Sequence, residues 1–160
     1  MTPTLEALRM RGFEGLVPFA GLEAAEIPSD GGTCAVVRTS DAAPAFTATS
    51  TAGWREKRDP AVGVERLAEK RVEGAEALCI GKAETATAGS HALRGRLRQY
   101  ARHGLGGTSH HGGRYVWQST DHASLLIAWK PGAHLRDAEK ALMGEFETLY
   151  GALPFAHLAH

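Results

Sequence analysis

Cysteine is scarce in this chain, with only Cys34 and Cys79 among 160 residues, too few for a disulfide-stapled scaffold. Long apolar runs are also missing: no stretch approaches the roughly 20 residues a membrane-spanning helix needs. Net charge is absent too, since 18 Lys and Arg balance 18 Asp and Glu, which argues against a protein that coats nucleic acid through bulk charge. No internal repeat is visible. The opening Met1-Thr2-Pro3-Thr4-Leu5-Glu6 lacks the basic-then-apolar pattern of a secretory leader, so cytoplasmic residence and reduced thiols are expected. The length suits one compact domain over residues 1–160, with a core at about 32–157 and a lead-in at 1–31.

What the chain does contain is unevenly placed. Residues 82–136 carry eight Lys or Arg (Lys82, Arg94, Arg96, Arg98, Arg102, Arg114, Lys130, Arg136) against Glu84 and Asp121, and all eight histidines follow residue 90. A basic segment inside a neutral chain suits a localised anionic partner such as a phosphodiester backbone or a phosphorylated small molecule; a solvated arginine face on a helix is the plainer alternative.

Patterning along the chain predicts an α+β domain, a small mostly antiparallel sheet flanked by helices. Leu5, Leu8 and Phe13 suggest a short helix, followed by a loop and a turn at Asp30-Gly31-Gly32. Thr33 to Arg38 reads as a buried strand, and Asp41 to Thr51 as a loop or second short strand. Asp59-Pro60 resembles an N-cap and first helical residue, predicting a helix to about Val72. Ala77 to Ile80 is a second strand, stopped by Gly81. Ser90 caps a helix to about Arg102 in which Leu93, Leu97 and Tyr100 share one face. Arg114–Gln118 and Ser124–Trp129 look like a hairpin turning near Asp121. A last helix spans about Leu135 to Tyr150, with Ala138, Leu142, Met143, Phe146 and Leu149 as its stripe and Gly151 as C-cap.

Five short motifs then fall in a telling order: Gly32-Thr33-Cys34, Cys79-Ile80-Gly81-Lys82, Arg96 with Tyr100 four residues on, Glu139, and His157. Over roughly residues 32–157 this order resembles the GIY-YIG nuclease superfamily. Cysteine stands at both motif tyrosines, and His157 at the terminal asparagine. The resemblance implies a DNA partner and hydrolysis of phosphodiester bonds with Mg²⁺ or Mn²⁺. It assigns the metal to Glu139, preferred to Glu145 because apolar residues follow at +3, +4 and +7. A single carboxylate holding such a cation through waters is normal for hard, strongly hydrated ions. Arg96 is implied to grip the phosphate in a bidentate fork. Cys34, Cys79, Tyr100 and His110 become candidates for the chemistry, and Lys82, Arg94, Arg98, His111 and His157 for nucleic-acid contact.

The cysteines open other readings. Because the family's two motif strands are neighbours, the resemblance implies that Cys34 and Cys79 approach one another in an arginine-rich pocket, where lowered pKa values are expected. One would then serve as nucleophile toward a small electrophilic substrate, with a histidine as base. Two thiolates with His157, His110, His111 or Glu139 would alternatively suit Zn²⁺. Two buried, inert thiols on a catalytically inactive interaction module complete the alternatives.

Overall fold

A computed structural model describes residues 5–84, 92–107 and 113–157, the Leu135 side chain excepted. Four antiparallel strands form one sheet: β1 (Glu14–Pro18), β2 (Gly32–Val37), β3 (Ala77–Ala83) and β4 (Leu126–Pro131), in the order β1-β4-β2-β3. Four helices accompany it: α1 (Leu5–Met10), α2 (Val64–Lys70), α3 (Ala92–Gly104) and α4 (Leu135–Tyr150). The protein is therefore α+β, with its small sheet flanked by helices.

Strand alternation divides the core in two. Val36, Ile127 and Trp129 pack with Leu93, Leu97 and Tyr100 of α3, so the expected i, i+4, i+7 stripe is buried on one sheet face. Ala35, Val37, Ile80 and Ala128 point the other way, against Leu142 and Met143 of α4 and Leu8 of α1. Burying each large α4 side chain contributes roughly 1.5–3 kcal/mol. The α4 stripe is narrower than predicted, because Ala138 and Leu149 are exposed while Leu142, Met143 and Phe146 are buried. Gly151 ends α4 in the left-handed region, as expected.

Several elements differ from the sequence pattern. The lead-in contributes β1, which pairs with β4 from Glu14 opposite Trp129 to Pro18 opposite Leu126. Arg114–Gln118 is a 3₁₀ turn rather than a strand, so the expected hairpin does not form; β4 pairs with β1 and β2 instead. The cause is burial. Tyr115, Val116, Trp117 and Gln118 are consecutive and all buried, which a two-faced strand beside solvent would not allow. α2 begins at Val64 because Asp59 closes a local turn instead, its carboxylate accepting the Ala61 amide at 2.9 Å. Ser90, the expected cap of α3, lies outside the described residues. The described start of α3 is held by Leu93 N–H to Asp30 O at 3.1 Å and Arg94 N–H to Pro28 O at 3.2 Å, which satisfy amides at the start of the helix.

Candidate functional site

The two cysteines meet because of strand register. Cys34 lies opposite Gly81, and Cys79 opposite Val36, so the thiols are diagonal neighbours on the sheet face that receives α3. Both are free and half-buried. The Cys79 thiol shares a hydrogen bond with the Tyr100 hydroxyl, which in turn donates to the Gly113 carbonyl at 2.7 Å. Gly113 has no substitute here: its φ is +73°, and a Cβ would stand 2.4 Å from the Tyr100 oxygen.

Electrostatics tie α3 and α4 to this pair. Burial pushes Cys34 up to about 11; the Arg96 guanidinium pulls against it and the Glu139 carboxylate adds to it. Cys79 rises to about 12, first through burial, then through Cys34 and Glu139, with Tyr100 and Arg96 opposing. Tyr100 is held well above the ordinary phenol range, again chiefly by burial. The lowered thiol pKa expected from the arginine count is therefore reversed. One partly solvated guanidinium does not offset the loss of water around two neighbouring thiols. At neutral pH all three groups keep their protons.

Arg96 is exposed and Glu139 half-buried, and among the described residues neither side chain enters a hydrogen bond or ion pair. Their neighbours differ. Glu145, the other candidate carboxylate, pairs with Arg11 at 2.5 Å. Arg94 donates from Nε to Ile27 O at 2.9 Å, and Arg98 from Nη2 to Glu23 O at 3.1 Å, so both pin the lead-in segment to α3. Lys82 projects toward the opposite sheet face from Cys34 and pairs with Glu84 at 3.0 Å. His157 follows a buried segment whose Ala156 N–H donates to Leu78 O at 2.7 Å, bringing it beside β3. His110 and His111 lie outside the described residues. Among the described residues no three His, Cys, Asp or Glu side chains gather as a metal-ligand group.

Two supporting positions escaped the sequence pattern. Gly113 was visible only as one glycine among many in a loop. Gln118, fully buried, ties its Oε1 to Val62 N–H at 2.9 Å and its Nε2 to Val62 O and Thr47 O at 2.8 and 3.0 Å. Its only signal was a polar residue closing an aromatic run.

Comparison of the chain with protein-family models, curated proteins and solved structures finds no match.

Proposed function

We propose that this is a GIY-YIG-like nucleic-acid-binding protein that hydrolyses DNA phosphodiester bonds with a divalent metal. One observation carries the reading: Arg96 and Glu139, neither of them paired, act on the same cysteine pair that stands at the two motif-tyrosine positions. A cytoplasmic setting suits two free thiols.

The donor set fits a particular kind of ion. A lone half-buried carboxylate suits Mg²⁺ or Mn²⁺ held mainly through water, whereas thiols of raised pKa give up their protons to zinc less readily. Glu139 would hold the ion, which when bound supplies Lewis-acid polarisation of the phosphate. Arg96 offers a planar fork to two phosphate oxygens and stabilises the charge that grows there in the transition state. Cys34 and Cys79 have raised pKa values, so at neutral pH they act as hydrogen-bond donors and not as the base that takes a proton from water. The same fact weakens the thiol-nucleophile reading, since the thiolate is the reactive form.

The test is cleavage of supercoiled and branched DNA with Mg²⁺ or Mn²⁺. Activity should vanish in Arg96→Ala and Glu139→Ala; full activity in both variants refutes the site. Binding that survives in both variants, with no cleavage by the native protein, identifies a binding module instead.

A further inference from the structure

Residues 53–62 form a tip that the cysteine pocket does not use. It opens with Trp54, 57% exposed, which is unusual for the largest aromatic side chain. Arg55, Glu56, Lys57, Arg58 and Asp59 follow, all exposed. Arg55 and Arg58 exchange backbone hydrogen bonds of 3.1 and 2.8 Å around a two-residue turn, with φ of +49° at Glu56 and +67° at Lys57. That is a hairpin turn made without the glycine or asparagine that usually eases it.

Both stems of the tip are locked to the core. Gly53 donates its N–H to His103 O at 3.0 Å, and its carbonyl pairs with the His103 ring Nε2 at 3.0 Å. A carbonyl only accepts, so Nε2 carries the proton; burial also lowers the pKa of this histidine and keeps the ring neutral. A Cβ on Gly53 would lie 2.1 Å from Gly107 O, so the backbone there rests flat on the loop after α3. At the other stem Gln118 holds both the N–H and the carbonyl of Val62. A rigid stem thus presents an aromatic ring to solvent.

We propose that this tip is a nucleic-acid contact, with Trp54 stacking on a base of single-stranded or unpaired DNA and Arg55, Lys57 and Arg58 meeting the flanking phosphates. The proposal rests on the nucleic-acid reading above and extends it to a second place on the surface. Charge favours this occupant, since Arg55, Lys57 and Arg58 outnumber Glu56 and Asp59. Among the described residues the three cations form no ion pair, while Asp59 is turned back onto the Ala61 amide. An exposed ring bordered by guanidinium and ammonium groups matches alternating bases and phosphates. A fixed stem also reduces the entropy lost on binding. Gly53 rests on the loop that ends α3, the helix that also carries Arg96.

The experiment uses the full chain and fluorescein-labelled oligo(dT) of about 16 nucleotides, with anisotropy for affinity and tryptophan emission for stacking. Trp117 and Trp129 are buried, so quenching reports mainly on Trp54. Trp54→Ala should weaken binding about 5- to 150-fold and abolish quenching, while Trp54→Phe keeps most of the affinity. Replacing Arg55, Lys57 and Arg58 together by alanine should flatten the slope of log K against log salt by about 2. If the native protein binds and Trp54→Ala binds equally well, this inference fails and the nucleic-acid reading stands. If the native protein binds neither oligo(dT) nor duplex DNA, both fail. If Trp54→Ala alters sedimentation of the protein alone and leaves DNA affinity unchanged, the tip contacts protein and the inference is overturned.

Discussion

The cysteine pair reports on the charges around it, and that makes the pocket testable without a substrate. Burial raises Cys34 and Cys79 from 9.0 to about 11 and about 12, so at pH 7.5 their thiolate fractions fall about 100-fold and about 1000-fold below an ordinary thiol. A more basic thiolate is a better nucleophile, with a Brønsted slope of about 0.4–0.5. The rate deficit toward a disulfide reagent therefore shrinks to about 10-fold for Cys34 and about 50-fold for Cys79. An aromatic disulfide reagent, applied to Cys34→Ala and Cys79→Ala variants separately, measures each rate from pH 7 to 10.5, with the Cys79 deficit somewhat smaller once Cys34, which also raises it, is gone. Steric protection also slows reaction, so the diagnostic is the profile: each rate should still climb at pH 10, where an ordinary thiol has levelled off. Glu139→Gln removes a charge that raises both thiols and should accelerate both; Arg96→Ala removes the opposing charge and should slow both. Glu145→Gln should leave both rates alone, because that carboxylate belongs to Arg11. A plateau near pH 9, or rates indifferent to Glu139→Gln, refutes the pocket as described.

Two further outcomes follow from the same structure. Because both thiols have folded-state pKa values above their ordinary value, their contribution to stability is fully present below about pH 9. It is lost as pH rises through 11 and 12, so the melting temperature of the native protein should fall above pH 9 more steeply than that of Cys79→Ala, each compared with its own value at pH 8. Gln118→Leu strips the partners from Val62 N–H, Val62 O and Thr47 O and should cost about 2–4 kcal/mol in urea denaturation. Hydrogen exchange should quicken across 47–62 before it does in α3; uniform exchange across the chain would show that Gln118 does not latch this segment.

The fold was legible where one residue pattern matched one face. Leu93, Leu97 and Tyr100 repeat at helical spacing and are buried together, and Gly151 ends α4 because a left-handed residue is needed there. It was illegible where tertiary pairing overrode local signal. Glu14-Gly15-Leu16-Val17-Pro18 has a glycine and a proline and no alternation, yet β4 recruits it through a register shift between Gly15 and Val17. Arg114 to Gln118 carried strand propensity, but Tyr115 to Gln118 are all buried, so a tight 3₁₀ turn accommodates what a strand would have exposed.

The candidate site divides along the same line between order and environment. Residue order marked Cys34, Cys79, Arg96, Tyr100 and Glu139, and the structure ties all five together through register, one hydrogen bond and shared electrostatic influence. Counting basic residues nonetheless gave the wrong sign for the thiols. Charge counts ignore desolvation, and they also missed that Arg94 and Arg98 are already spent on the lead-in backbone. Arg96 is the α3 arginine left over, and it and Glu139, each on its own helix, both act electrostatically on the cysteine pair. Two thiols that keep their protons are poorly suited to thiolate attack, whereas under the proposed reading each can donate to a phosphate oxygen that a thiolate would repel. Under the proposed reading, cysteine at these two strand positions keeps a phenol's capacity to donate a hydrogen bond while giving up its reach, and a substrate would have to make up that reach by lying closer to the sheet.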